Sequence, residues 1–168
     1  TATVKTSIED GNLGDLQVII ENNACQDLVG HGNVRTESII RVDRKAPMLQ
    51  TLEAYVESGV KLNSEIDVVK EYYKTGEIIK VVATFDENIT AEKIPELVLQ
   101  FSESKNSIVL EGAIESNKIT YTYKIVEGDE GTLAVRALNG VVTDAAGNST
   151  NITRKSLDGN TIIVDTDK

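Results

Sequence analysis

Residues 119–125 read Ile119-Thr120-Tyr121-Thr122-Tyr123-Lys124-Ile125, an apolar side chain at every second position with Thr or Lys between. Period two is the repeat of a strand with one face buried and the other in water, whereas a helix repeats every 3.6 residues. The stretch predicts a half-buried β-strand with Tyr121 and Tyr123 on the core side. Working outward, Ile79, Val81, Ala83 and Phe85 share one face of a second strand, with Lys80 and Thr84 among the residues opposite. Leu133, Val135 and Ala137 repeat the alternation, and Ile162 and Val164 close the chain in the same way. Apolar runs at Glu96–Phe101 and Ser107–Leu110 add shorter strands. Turn residues separate them at Thr75-Gly76, Ser116-Asn117, Gly128-Asp129-Glu130-Gly131, Ala146-Gly147-Asn148 and Asp158-Gly159-Asn160. No long helical crossover divides the strands, so the expected fold is an antiparallel β-sandwich. Glu65–Tyr73 also fits helical spacing at Ile66, Val69 and Tyr73, and is read as extended.

The composition narrows the function classes. A chain of 168 residues is long enough for one large or two small domains with a real core. Seventeen Lys and Arg against 27 Asp and Glu leave a net charge of −10, which repels phosphate backbones and anionic lipid heads. One Cys forbids an internal disulfide and a multi-cysteine zinc site. No run of 18 apolar residues offers a membrane span. The chain opens on Thr1-Ala2-Thr3 without Met or a leader, and reads as a piece of a longer protein.

An internal repeat organises the rest. Gly14-Asp15-Leu16-Gln17-Val18-Ile19-Ile20 lies over Gly131-Thr132-Leu133-Ala134-Val135-Arg136-Ala137 without gaps, 117 residues apart. The offset carries on through Asn22 and Asn139, Cys25 and Val142, and Asp27 and Asp144. Both copies then reach a Gly/Asn loop, Gly30-His31-Gly32-Asn33 and Gly147-Asn148, and end on Val42-Asp43 and Val164-Asp165, now 122 apart. A period near 120 residues fits a string of whole domains rather than a solenoid. Residues 1–46 are therefore expected to be the C-terminal part of one repeat, and 47–168 one complete repeat.

Four motifs in order carry a resemblance. Tyr73-Lys74-Thr75-Gly76-Glu77-Ile78-Ile79 followed by Val82-Ala83-Thr84-Phe85-Asp86-Glu87-Asn88-Ile89 resembles the front half of a bacterial immunoglobulin-like (Big-type) repeat. The stretches 121–129 and 142–148 resemble its back half. Val164-Asp165-Thr166-Asp167-Lys168 resembles the shared linker, which usually runs on to Ala-Pro, and Ala46-Pro47 supplies that dipeptide after the first copy. The resemblance covers 73–168 well and 14–47 in part. It implies an immunoglobulin-like sandwich in tandem on a secreted or cell-surface bacterial protein, so an extracellular location with neighbouring repeats as partners.

Three sets of side chains are candidates for chemistry. Cys25 and His31 are the only residues able to form a nucleophile–base pair. Since Cys25 aligns with Val142, a buried Cys serving as a small hydrophobe is the expected state. Asp43, Asp144, Asp165 and Asp167 offer the hard oxygen donors that Ca²⁺ prefers, though without EF-hand spacing. The competing reading makes Asp144 an Asx-turn residue. Tyr72 and Tyr73 are adjacent and point opposite ways on a strand, so one is expected to be exposed and able to bind a ligand. Asn88, Asn148 and Asn151 begin Asn-X-Ser/Thr triplets, glycan acceptors only in a eukaryotic secreted chain.

Together these readings favour a non-catalytic spacer repeat that holds distal domains away from the cell. The alternative is an adhesive module binding a host protein or glycan through a sheet face or loop cluster. A partial repeat in 1–46 leaves an open edge and an apolar face, so it is expected to pair either with the following repeat or, as a dimer, with the same residues of another molecule.

Overall fold

The computed structural model describes residues 3, 5–7, 13–57, 72–104, 106–159 and 161–167. Two compact units divide the chain, Thr1–Lys45 and Ala46–Lys168. Among the described residues all regular structure is strand, with no helix, and every strand pairing is antiparallel.

The first unit is a two-stranded sheet of β1 (Leu13–Ile20) and β2 (Thr36–Asp43). The second begins with β3 (Leu49–Glu57), β4 (Ile78–Phe85), β5 (Glu96–Phe101) and β6 (Ile108–Leu110). It continues with β7 (Gly112–Glu115), β8 (Lys118–Lys124), β9 (Gly131–Thr143), β10 (Ser149–Arg154) and β11 (Ile163–Val164). One sheet has the order β3-β4-β8-β7; the other has β10-β9-β5-β6, with β11 also on β9. Both sheets contribute to a single buried cluster, the arrangement of a β-sandwich.

Alternation decides the core. On β4, Ile79, Val81, Ala83 and Phe85 are buried and their neighbours are not, as the period of two required. Ile119, Tyr121 and Ile125 do the same along and just beyond β8, with Tyr123 half-buried. Leu97, Leu99 and Phe101 of β5 face them across the core.

Ala137 departs from the expected alternation. Val98 pairs with Ala137 but Leu99 with Val135, so Arg136 is the extra residue of a β-bulge. One extra residue reverses which side chains point inward. Leu138 and Val142 are fully buried beyond the bulge, and Ala137 is only half-buried. Just past it, Gly140 lies against Pro95, where a Cβ would come within 2.7 Å of the Pro95 Cα.

Strands β7 and β10 were not expected, because neither Gly112–Glu115 nor Ser149–Arg154 alternates over enough residues. The turn between β7 and β8 was: Ser116-Asn117 closes a two-residue hairpin with Ser116 at φ 56°. Of the stretch 65–73, only Tyr72 and Tyr73 are among the described residues; Tyr73 bridges Val164 in parallel.

The chain enters the second unit at one pole and leaves at the other. Met48 N donates to Asp86 Oδ1 at 2.7 Å and Asp86 N to the Met48 carbonyl at 3.1 Å, beside the end of β4. Thr90, after β4, bridges Thr143, so the end of β9 lies at this same pole. β11 instead pairs with Gly131 and Thr132 at the start of β9. Along β9 the two poles are about 40 Å apart at roughly 3.3 Å per residue.

The first unit repeats pairings of the second. Gly14 opposes Val42 and Asp15 opposes Arg41, as Gly131 opposes Val164 and Thr132 opposes Ile163. Gln26 bridges Gly32 as Thr143 pairs with Ser149.

Candidate functional site

The acidic turn that follows β9 is built by Asp144. Asp144 Oδ1 accepts from Ala146 N at 2.8 Å and from Asn148 N at 2.9 Å. Its Oδ2 accepts from Asn148 Nδ2 at 2.8 Å. Asp144 N donates to the Asn148 carbonyl at 3.0 Å, closing the turn from the backbone side. Gly147 takes φ 92°, a left-handed conformation that other residues rarely adopt. Burial opposes the charge on Asp144. Donors from the Asn148 side chain and backbone and the Ala146 backbone outweigh it, and hold the carboxyl below its ordinary 3.8.

Of the four proposed calcium ligands, the structure does not bring Asp165 or Asp167 to Asp144. Both follow β11, at the opposite end of β9. Asp165 Oδ1 accepts from Asp167 N at 3.1 Å and Asp165 N donates to the Tyr73 carbonyl at 2.8 Å. Neither belongs to any group of three close acidic, His or Cys ligands among the described residues. A carboxylate oxygen of Glu87 does lie within 4.8 Å of one of Asp144. Asp43 ends β2 in the first unit, where its Oδ1 accepts from Lys45 N at 3.0 Å. Both oxygens of Asp144 are engaged by turn donors, which is the Asx-turn reading.

Cys25 is exposed, which corrects the expectation of a buried thiol. Its counterpart Val142 is fully buried because the second unit has another sheet across its core, while the described residues of the first unit form one two-stranded sheet. Asn33 Oδ1 accepts from Cys25 N at 2.9 Å and lies 3.5 Å from the Cys25 Sγ. His31 Nδ1 is 3.2 Å from Asp27 Oδ2, so the imidazole is turned to the carboxylate and not to the thiol.

The two adjacent tyrosines separate as expected. Tyr72 is 49 % exposed, while Tyr73 is half-buried and packs on the core. Tyr73 N donates to the Ile163 carbonyl at 2.9 Å, so this residue joins the last strand to the body of the unit. Tyr121 is buried and donates to the Pro95 carbonyl at 2.7 Å. An open surface groove of about 650 Å³ runs past Glu92, Lys93, Ile94, Asn139, Val141 and Ser149.

Sequence reasoning missed a polar lock at the far pole. Tyr123 OH donates to Asp129 Oδ2 at 2.7 Å, and Val126 N to the same oxygen at 2.9 Å. Gly128 N donates to Thr166 Oγ1 at 3.0 Å, Thr166 N to Glu130 Oε1 at 2.7 Å, and the Thr166 hydroxyl to that carboxylate too. The residues 128–131 were read as a turn alone; a Gly-Asp-Glu-Gly turn holding two acids was the available signal.

Comparison of the chain with models of protein families, with curated proteins and with solved structures gives no match.

Proposed function

We propose that the chain comes from a tandem array of immunoglobulin-like sandwiches, and that residues 46–168 form a non-catalytic spacer repeat of a secreted or cell-surface bacterial protein. One observation carries this reading: the turns of Asp27 and Asp144 share their hydrogen bonds at a constant offset of 117 residues. Asp27 Oδ1 accepts from Val29 N and His31 N, each at 2.9 Å. Asp27 N donates to the His31 carbonyl at 2.9 Å and Gly30 N to the Asp27 carbonyl at 3.2 Å, as Gly147 N does to Asp144 at 3.3 Å. This shared turn supports reading the two stretches as copies of one repeat.

The strand order supports an immunoglobulin-like assignment. β3-β4-β8-β7 follows the A-B-E-D order of that fold, and β10-β9-β5-β6 follows G-F-C-C′. The spacer role draws support from the opposite poles of entry and exit, because a unit placed in series then adds its full length.

Spin labels at Met48 and Asp167 of the full chain test the role. A spacer gives one narrow distance that glycans, matrix proteins, Ca²⁺ and EDTA leave unchanged, with no saturable binding across arrays of the first two. Saturable binding lost on changing Tyr72 to Ser would replace spacing by adhesion.

A further inference from the structure

The face of β1–β2 that carries Leu16, Val18, Ile20, Ile40 and Val42 has no buried residue. Leu16, Val18 and Val42 are half-buried, Ile20 is 47 % exposed and Ile40 is 51 % exposed. Leu16 sits directly opposite Ile40, so these side chains form one continuous apolar strip. The other face is mixed: Arg41 Nε is 3.4 Å from Asp15 Oδ1 and Gln17 bonds Glu37, but Ile19 and Ile39 also stand there, both exposed.

The counterparts of this strip are core. Leu133, Val135, Ile162 and Val164 stand at the offsets of 117 and 122 from Leu16, Val18, Ile40 and Val42, and all are at most 5 % exposed. They belong to one cluster with Ile79, Val81, Ala83 and Phe85 of β4. In the second unit, then, the same strip in the same register is covered by the sheet β3-β4-β8-β7, whose residues precede β9 in the sequence. A two-stranded sheet carrying a continuous apolar strip is marginal in water and needs such a cover.

We propose that this strip on β1–β2 is a docking face for a four-stranded antiparallel sheet of the β3-β4-β8-β7 kind, carried ahead of β1 on the same polypeptide. The occupant is argued from the repeated register and from sequence order, since the covering sheet of the second unit also lies ahead of the strand it covers. The inference rests on the repeat within the reading above and not on the spacer role. A ligand for residues 46–168 would end the spacer role and leave this docking intact.

The test extends the full chain. Residues 1–13 are replaced by a second copy of 46–130, joined at Gly14 as the original is joined at Gly131, and hydrogen exchange is followed over 14–20 and 36–43. The expected result is exchange slowed by about a hundredfold or more relative to the unaltered chain. Loss of an apolar dye signal should accompany it, and Leu16→Asp in the extended chain should reverse both. A control carries the same extension followed by a copy of 131–165 in place of 14–43, and shows that the added sheet is competent to fold. Protection in the control without protection in the extended chain overturns the proposal. So does a tight dimer of the unaltered chain through 13–43 that the extension fails to displace, because the occupant would then be a second copy.

Discussion

Asp27 and Asp144 make the same turn, bond for bond, 117 residues apart. Each Oδ1 accepts from the amides two and four residues on, and each glycine three residues on sits near φ 90°. They differ in the fifth residue: His31 faces Asp27 at 3.2 Å, where Asn148 donates to Asp144 at 2.8 Å. Both carboxyls lie below the usual 3.8, Asp27 chiefly through the His31 amide. A turn so closely shared behaves as a unit of construction, which makes its acid the first target for mutation.

Asp144→Ala strips the acceptor from two turn amides and from Asn148 Nδ2. Lost hydrogen bonds to a charged group cost about 1.5–3 kcal/mol in total. Urea unfolding should show that loss, with Asp144→Asn milder because one oxygen acceptor remains. Asp27→Ala should loosen its own turn alone, seen as faster exchange at Val29 and His31.

Acid should act through the same carboxyl. The folded value for Asp144 is depressed, so its contribution is complete above 3.8, the unfolded value, and is lost as pH falls through the folded one. The urea midpoint of the unaltered chain should drop below pH 3.8 more steeply than that of Asp144→Asn.

Alkali should act through Tyr121 and Tyr123. Burial raises both hydroxyls above the ordinary 10.0, and for Tyr123 the bond to Asp129 adds to it. A raised value favours the neutral phenol in the fold, so this stability is present below pH 10 and is lost as pH rises beyond it. Tyrosinate absorbance should show two groups released only on unfolding, and Tyr123→Phe should remove one of them.

Gly140→Ala places a methyl against Pro95, with contacts of 2.7 Å to its Cα and 2.8 Å to its Cβ. Overpacking of this kind costs about 1–3 kcal/mol. The effect should couple with Tyr121→Phe, which removes the bond to the Pro95 carbonyl, and a double-mutant cycle would measure the coupling.

Thr166→Val removes the hydroxyl that joins Gly128 to Glu130. Exchange at Asp165 and Thr166 should quicken while the amides of β4 and β8 stay protected, as expected where only an end is released.

What could be read from the sequence was whatever depends on spacing alone. Ile79 to Phe85 and Ile119 to Ile125 announced their inner faces because the two strands pair with each other without interruption. The 117-residue offset was equally visible, since it survives in Gly14, Leu16, Val18 and Asp27. Ala137 was misread because a bulge is a property of a pair of strands, and β5 lies over 30 residues upstream. Cys25 was misread for a related reason: alignment with Val142 transfers the position but not the sheet that covers it. The lock around Thr166 was hidden because Gly128, Glu130 and Thr166 meet only once β9 and β11 have paired.

Under the proposed tandem arrangement, a unit that takes in its chain at one pole and releases it at the other would convert gene duplication into reach. Each further copy in series would lengthen the molecule by about 40 Å, the run of one long strand, for some 120 residues of sequence. In such an array, length would be tuned by unequal recombination between copies, with no new fold to evolve and no existing core to redesign.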